Sequence, residues 1–144
     1  MPKVVSTRWS NPSFSTKNDH VEQWTTVLSN AAWYAADKGS YITAEKMDQE
    51  ALHAREKALG KRHPNTLTSV SNLALTLQYQ GKYEAAELMA WPALDGCEKV
   101  LGKKHPDTLI STWYLASLLR RQRQYHDSII LYQRAYVATR KSLA

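Results

Sequence analysis

Between Pro64 and Gln80 the apolar residues fall at Leu67, Val70, Leu73, Ala74 and Leu77, three or four positions apart, with polar side chains between most of them. That spacing draws one apolar stripe along a helix and predicts α-helix over 65–80. Gln80-Gly81-Lys82 ends the stretch, because glycine takes the left-handed conformation that a tight helix–helix turn requires. A second helix is expected over 83–101, stopped by Gly102. Ala86 and Ala93 are small enough to let the paired helices approach closely, while Tyr83 fills the wider gap near the turn.

The hairpin is not alone. Leu59-Gly60-Lys61-Arg62-His63-Pro64-Asn65-Thr66-Leu67 returns as Leu101-Gly102-Lys103-Lys104-His105-Pro106-Asp107-Thr108-Leu109, shifted by 42 residues. The same shift relates Gly39 to Gly81, Tyr41 to Tyr83 and Tyr125, and Ala44 to Ala86 and Ser128. It also relates Ala32, Ala74 and Ala116, and Ala51, Ala93 and Ala135. Self-similarity at one fixed period marks a stacked repeat architecture. The expectation is an all-α, right-handed solenoid of three 42-residue helix-turn-helix units, at 21–62, 63–104 and 105–144. Its helices should span 21–38, 41–59, 65–80, 83–101, 107–122 and 125–143.

Each first helix of the later units opens at His-Pro-Asn/Asp-Thr. Proline is tolerated in a first helical turn, and the Asn, Asp and Thr oxygens are the expected caps. Residues 1–20 read as a flexible arm whose Trp9 and Phe14 could dock on the solenoid. Two positions depart from the pattern. Pro92 falls inside the fourth helix and predicts a kink near Leu88–Pro92 on the convex side. Arg123 stands where the earlier turns have glycine, so that turn needs another geometry or pays strain.

Composition narrows the class. The chain has 144 residues, 43% of them hydrophobic, enough for one domain with a core. Cys97 is the single cysteine, which leaves no disulfide framework and points to a reducing, cytoplasmic setting. No apolar run nears the roughly 20 residues of a membrane span, and the N-terminus lacks the apolar core of a secretory signal. The net charge of +6 is uneven: from Lys99 onward nine Lys/Arg face two acids. Such an end could meet nucleic acid or an anionic surface, though solvated helix faces account for most such charge, and nucleic acid is the weaker expectation.

The motif Asn72-Leu73-Ala74…Gly81-Lys82-Tyr83…Ala86…Ala93 resembles the tetratricopeptide signature. The long unit and its Leu-Gly-Lys-x-His-Pro-Asp-Thr-Leu connector resemble the kinesin-light-chain class of these repeats. Asn30-Ala31-Ala32-Trp33-Tyr34 with Gly39-Ser40-Tyr41 is most similar to the C-terminal arrays of fungal NB-ARC or NACHT receptor-like (STAND) proteins. The resemblance, over about 20–144, implies a non-enzymatic scaffold that binds a peptide or protein on its concave face. Mapped onto this sequence, the groove would use Asn30, Trp33 and Asp37 from the first unit, Asn72, Leu75 and Tyr79 from the second, and Trp113, Tyr114, Arg120 and Arg121 from the third. Asn30 and Asn72 occupy equivalent positions from which an amide can donate to and accept from a peptide backbone. The aromatics and arginines would anchor side chains or pack between units. The carboxylate clamp of chaperone-binding relatives is not expected, because Ser29 and Trp33 stand where it needs other residues.

No zinc spacing, phosphate loop or nucleophile motif appears, so no metal, cofactor or enzymatic activity is expected. His63 and His105 recur inside an identical connector and read as cap or loop residues, and Cys97 reads as a packed thiol. The last helix carries apolar Ile129, Ile130, Tyr132, Tyr136 and Val137, with no polar capping helix after it. Solenoids normally protect such a face, so either the chain is a fragment of a longer array or this face buries against another molecule; self-association through an end is expected, as a dimer or larger. The remaining alternative is an inert spacer.

Overall fold

The computed structural model describes residues 15–143. They form six helices: α1 (Ser15–Asp37), α2 (Tyr41–Leu59), α3 (Pro64–Tyr79), α4 (Tyr83–Leu101), α5 (Pro106–Arg121) and α6 (Tyr125–Leu143). Among the described residues there is no strand. The helices pair as α1–α2, α3–α4 and α5–α6, and each pair packs only on the next. The first and third pairs do not touch, which makes the stack an open solenoid rather than a closed bundle. Helix α1 starts six residues before the expected 21, so residues 15–20 of the expected arm are helical. Residues 1–14, with Trp9 and Phe14, lie outside the described residues.

The turns inside the pairs are built alike. In each, the second residue after the helix end bonds back three residues and the third bonds back five. The pairs are Gly39 N–H to Ala36 (3.0 Å) and Ser40 to Ala35 (2.8 Å), Gly81 to Gln78 (3.0 Å) and Lys82 to Leu77 (2.9 Å), and Arg123 to Arg120 (3.0 Å) and Gln124 to Leu119 (2.9 Å). This closure needs a left-handed residue. Gly39 and Gly81 supply it at φ +83° and +79°, and Arg123 adopts φ +65° in the same place. The third turn therefore keeps the geometry and bears the strain of a side chain there.

The connectors between units differ from expectation at one point. The first helical N–H groups of α3 and α5 are capped by imidazoles: Nδ1 of His63 accepts from Asn65 N–H and Nδ1 of His105 from Asp107 N–H, both at 3.1 Å. Proline at the first helical position puts histidine at the cap, so its nitrogen does what Asn, Asp or Thr oxygen was expected to do. Freed from capping, the Asn65 amide donates to Glu22 Oε2 at 2.7 Å.

The core runs along the seam of the stack. Leu73, Ala74, Leu77, Ala86, Ala90, Leu94, Leu115, Leu118, Leu119 and Leu131 form one buried cluster, and Leu67 is buried as well. Ala44, Ala86 and Ser128, the equivalent small positions where paired helices cross, are all buried. Tyr83 packs half-buried on the core, whereas Tyr125 at the equivalent place is exposed. Helix α4 runs unbroken through Pro92. Leu88, Trp91 and Pro92 are exposed, so the Leu88 carbonyl that proline leaves unbonded lies on a solvent-facing side.

Candidate binding groove

Helices α1, α3 and α5 lie side by side along one face of the stack. Between α1 and α3 a cleft is lined by Trp33 and Ala36 on one side, Asn72, Leu75, Thr76 and Tyr79 on the other, and Asp48 at its floor. Between α3 and α5 a second cleft is lined by Ser71, Leu75, Gln78, Ser111, Tyr114 and Leu118. Leu75, almost fully buried, forms the ridge between the two. Each cleft has a free volume of about 10 Å³, room for roughly one water. These are seats for side-chain tips along an extended surface, too small for a drug-sized ligand.

The walls offer complementary chemistry. Trp33 is half exposed, and Tyr79 is exposed while stacking on Tyr41 at 5.8 Å. The Asn72 side-chain amide makes no hydrogen bond to the described residues and faces the first cleft. Burial raises the Tyr114 phenol above its ordinary value, with Tyr79 adding to the effect, so Tyr114 remains an O–H donor. Of the groove residues expected from sequence, the structure thus brings together Trp33, Asn72, Leu75, Tyr79 and Tyr114. Asn30, Asp37 and Arg121 are exposed and do not line either cleft. Trp113 and Arg120 belong elsewhere. One unit earlier their counterparts are Ser71 and Gln78, which are buried against α5 through Ser71–Ser111 (2.9 Å) and Gln78–Ser117 (3.0 Å). Trp113 and Arg120 therefore lie at the end of the stack, where Trp113 packs edge-on to Tyr132 at 4.8 Å.

Residues 24–65 and 66–107, more than half the chain, match the model of the tetratricopeptide repeat in two consecutive copies. The chain belongs to the tetratricopeptide repeat family. Those copies begin three residues after the expected starts of the first two units, and the third hairpin repeats the fold beyond the match. No curated protein matches the sequence. A crystal structure of nearly identical TPR-like repeats from a putative kinesin light chain of Podospora anserina is similar in fold. It shows a TM-score of 0.77 at 22% identity over 83% of this chain and 56% of the other. A single-substitution variant of that protein gives 0.71 at 20% identity, with the same coverage. The chain thus spans just over half the length of these solved relatives.

The tetratricopeptide groove has one feature that the sequence reading missed, a carboxylate at its floor. Asp48 of α2 is buried, and its Oδ2 accepts from Thr76 Oγ1 at 2.6 Å. Burial pushes its pKa up to about 6, and the Thr76 hydrogen bond only partly offsets this. Seven residues on, Arg55 is also buried. It donates to Thr25 Oγ1 (3.1 Å), Ser69 Oγ (2.8 Å) and the Asn65 carbonyl (3.2 Å), with Glu22 at 3.9 Å. Among the described residues no group of His, Cys, Asp and Glu could hold a metal, and no helix is long and apolar enough to cross a membrane.

Proposed function

We propose that this tetratricopeptide array is a non-enzymatic scaffold that holds an extended peptide or protein segment across α1, α3 and α5. The observation that carries the reading is the pair of adjoining clefts that share Leu75. Between them they present an indole, two phenols and an unbonded amide along one line. Tetratricopeptide repeats generally mediate protein–protein contacts. An extended chain suits a row of shallow seats, with Asn72 pairing to its backbone and Trp33, Tyr79 and Tyr114 taking alternate side chains. In this reading the module also assembles with itself through an end of the stack, and it serves a larger cytoplasmic receptor as the part that senses and clusters.

The test is selection from a display library of linear peptides, followed by affinity measurement on purified variants. Asn72→Ala and Tyr79→Ala should each weaken selected peptides by about tenfold or more, the cost of losing one anchor. Selected peptides whose affinity neither substitution alters would overturn the groove.

A further inference from the structure

The 42-residue shift does more than align the units, because it states what each helix face is for. On α3 and α5, the residues turned toward the preceding unit are buried: Thr66, Ser69 and Thr76, then Thr108, Ser111 and Leu118, none above 6% exposed. Their bonds show the partner. Ser69 and Thr76 bind Arg55 and Asp48 of α2, while Thr108 bonds to the Cys97 carbonyl of α4. The same positions on α1 are Trp24, Val27 and Tyr34, at 54%, 59% and 68% exposure. Among the described residues no other unit covers them, and Lys38 Nζ, just past the end of α1, lies 5.6 Å from the centre of the Tyr34 ring.

The other end has the reciprocal face. Ser71, Ala90 and Leu94 of the second unit are buried beneath α5, at 6%, 7% and 3%. One shift later stand Trp113, Tyr132 and Tyr136, with Trp113 at 48% and Tyr136 at 61% exposure. One end thus carries the face that a following unit covers, and the other carries the face that covers a preceding one. Both have large apolar side chains where a solvated end would favour polar ones.

We propose that two copies of this chain join head to tail, with Trp113, Tyr132 and Tyr136 of one seated on Trp24, Val27 and Tyr34 of the next. This deepens the assembly half of the proposed function and rests on it. The occupant is a second copy because the joint continues an interface the molecule already makes twice, α2 on α3 and α4 on α5. Under the repeat shift Tyr132 meets Tyr34 where Asp48 meets Thr76, and Trp113 meets Val27 where Ser71 meets Ser111. The end residues are bulkier than their internal counterparts, so the joint is wider than an internal junction. The contact is heterologous, so each copy keeps one free face and growth does not close at a dimer.

Light scattering on the purified 144-residue chain and two exposed-face variants tests this. The wild type should gain mass continuously as concentration rises above that of the 16.4 kDa monomer. Val27→Asp spoils only the head and Tyr136→Asp only the tail. Each alone should stay monomeric, with unchanged helical circular dichroism, while an equal mixture should form a dimer through the two intact faces. A wild type that stays monomeric at every concentration overturns both the joint and the assembly reading. Association that survives either substitution, or a mixture that stays monomeric, overturns the head-to-tail geometry while leaving assembly itself standing. None of these outcomes touches the groove, whose residues Asn72 and Tyr79 lie outside both faces.

Discussion

The two junctions between units occupy equivalent places and are built from opposite materials. Where α2 meets α3 the facing residues are Asp48, Arg55, Ser69 and Thr76. Where α4 meets α5 the shift replaces them with Ala90, Cys97, Ser111 and Leu118. All eight are buried. The first junction is held by charged hydrogen bonds from Arg55 and by the Asp48–Thr76 pair. The second replaces these side-chain partners with apolar contact, with Cys97 Sγ and Ser111 Oγ at 3.7 Å, and its polar links lie at Thr108 to the Cys97 carbonyl, Ser71–Ser111 and Gln78–Ser117. The exchange is visible at single atoms. Ser69 is taken by Arg55, and the hydroxyl of Ser29, the counterpart of Ser71, is left buried without a hydrogen bond. One backbone arrangement therefore accepts two solutions. The apolar one tolerates loss of a side chain, while the ionic one depends on every partner being present.

Removing Arg55 should break this symmetry most. Arg55→Ala strands Glu22, Thr25, Ser69 and the Asn65 carbonyl in a buried site, and should cost about 3–5 kcal/mol in urea unfolding. Cys97→Ala, at the equivalent position, loses only a small packed thiol and should cost about 1 kcal/mol. Equal costs would mean that the two junctions are energetically alike and that the contrast is only chemical.

Asp48 gives the next effect, and its sign runs against the usual carboxylate. Its pKa in the fold, about 6, lies above the ordinary 3.8, so the folded protein holds this proton more tightly than the unfolded chain does. The resulting destabilisation is absent below pH 3.8 and fully present only above about pH 6. Its size is at most about 3 kcal/mol. Asp48→Asn keeps an acceptor for Thr76 and removes the charge. It should raise stability at pH 7 by about 1–3 kcal/mol, with no gain at about pH 3.5. The difference in unfolding free energy between wild type and variant across that window is the measurement. A constant difference would place the carboxylate in water.

The stack was legible because a fixed period repeats glycine, proline and alanine at positions that backbone geometry makes almost compulsory. Five of the six helices were placed within one residue at each end, and α1 missed only its extra turns before residue 21. The junction chemistry was not legible. Asp48 and Arg55 lie in α2 among Glu45, Lys46, Glu50, Glu56 and Lys57, where one more charge reads as surface. The signal was in the repeat itself: the shift carries Asp48 to Ala90 and Arg55 to Cys97, uncharged residues that mark both positions as buried. The same operation would have moved Trp113 and Arg120 from the groove to the end, since Ser71 and Gln78 stand at the internal copies. The family's groove positions describe a unit flanked on both sides, and among the described residues no further unit covers Trp113 and Arg120.

The turns supply the smallest and cleanest comparison. All three close with the same pair of hydrogen bonds, so the third differs from the second by little more than a side chain at positive φ. Arginine there bears a left-handed penalty of about 1–2 kcal/mol, and glycine brings back about 0.4–1 kcal/mol of chain entropy in the unfolded state. Arg123→Gly should therefore stabilise the protein by about 0.5–1 kcal/mol. Gly81→Arg, making the second turn like the third, should destabilise it by a similar amount, because the space beside Gly81 is open and no clash adds to the backbone cost. Opposite shifts in the urea midpoint at unchanged slope would show that the backbone conformation alone sets the difference. If Arg123→Gly destabilised instead, the arginine side chain would be supplying a contact worth more than its strain.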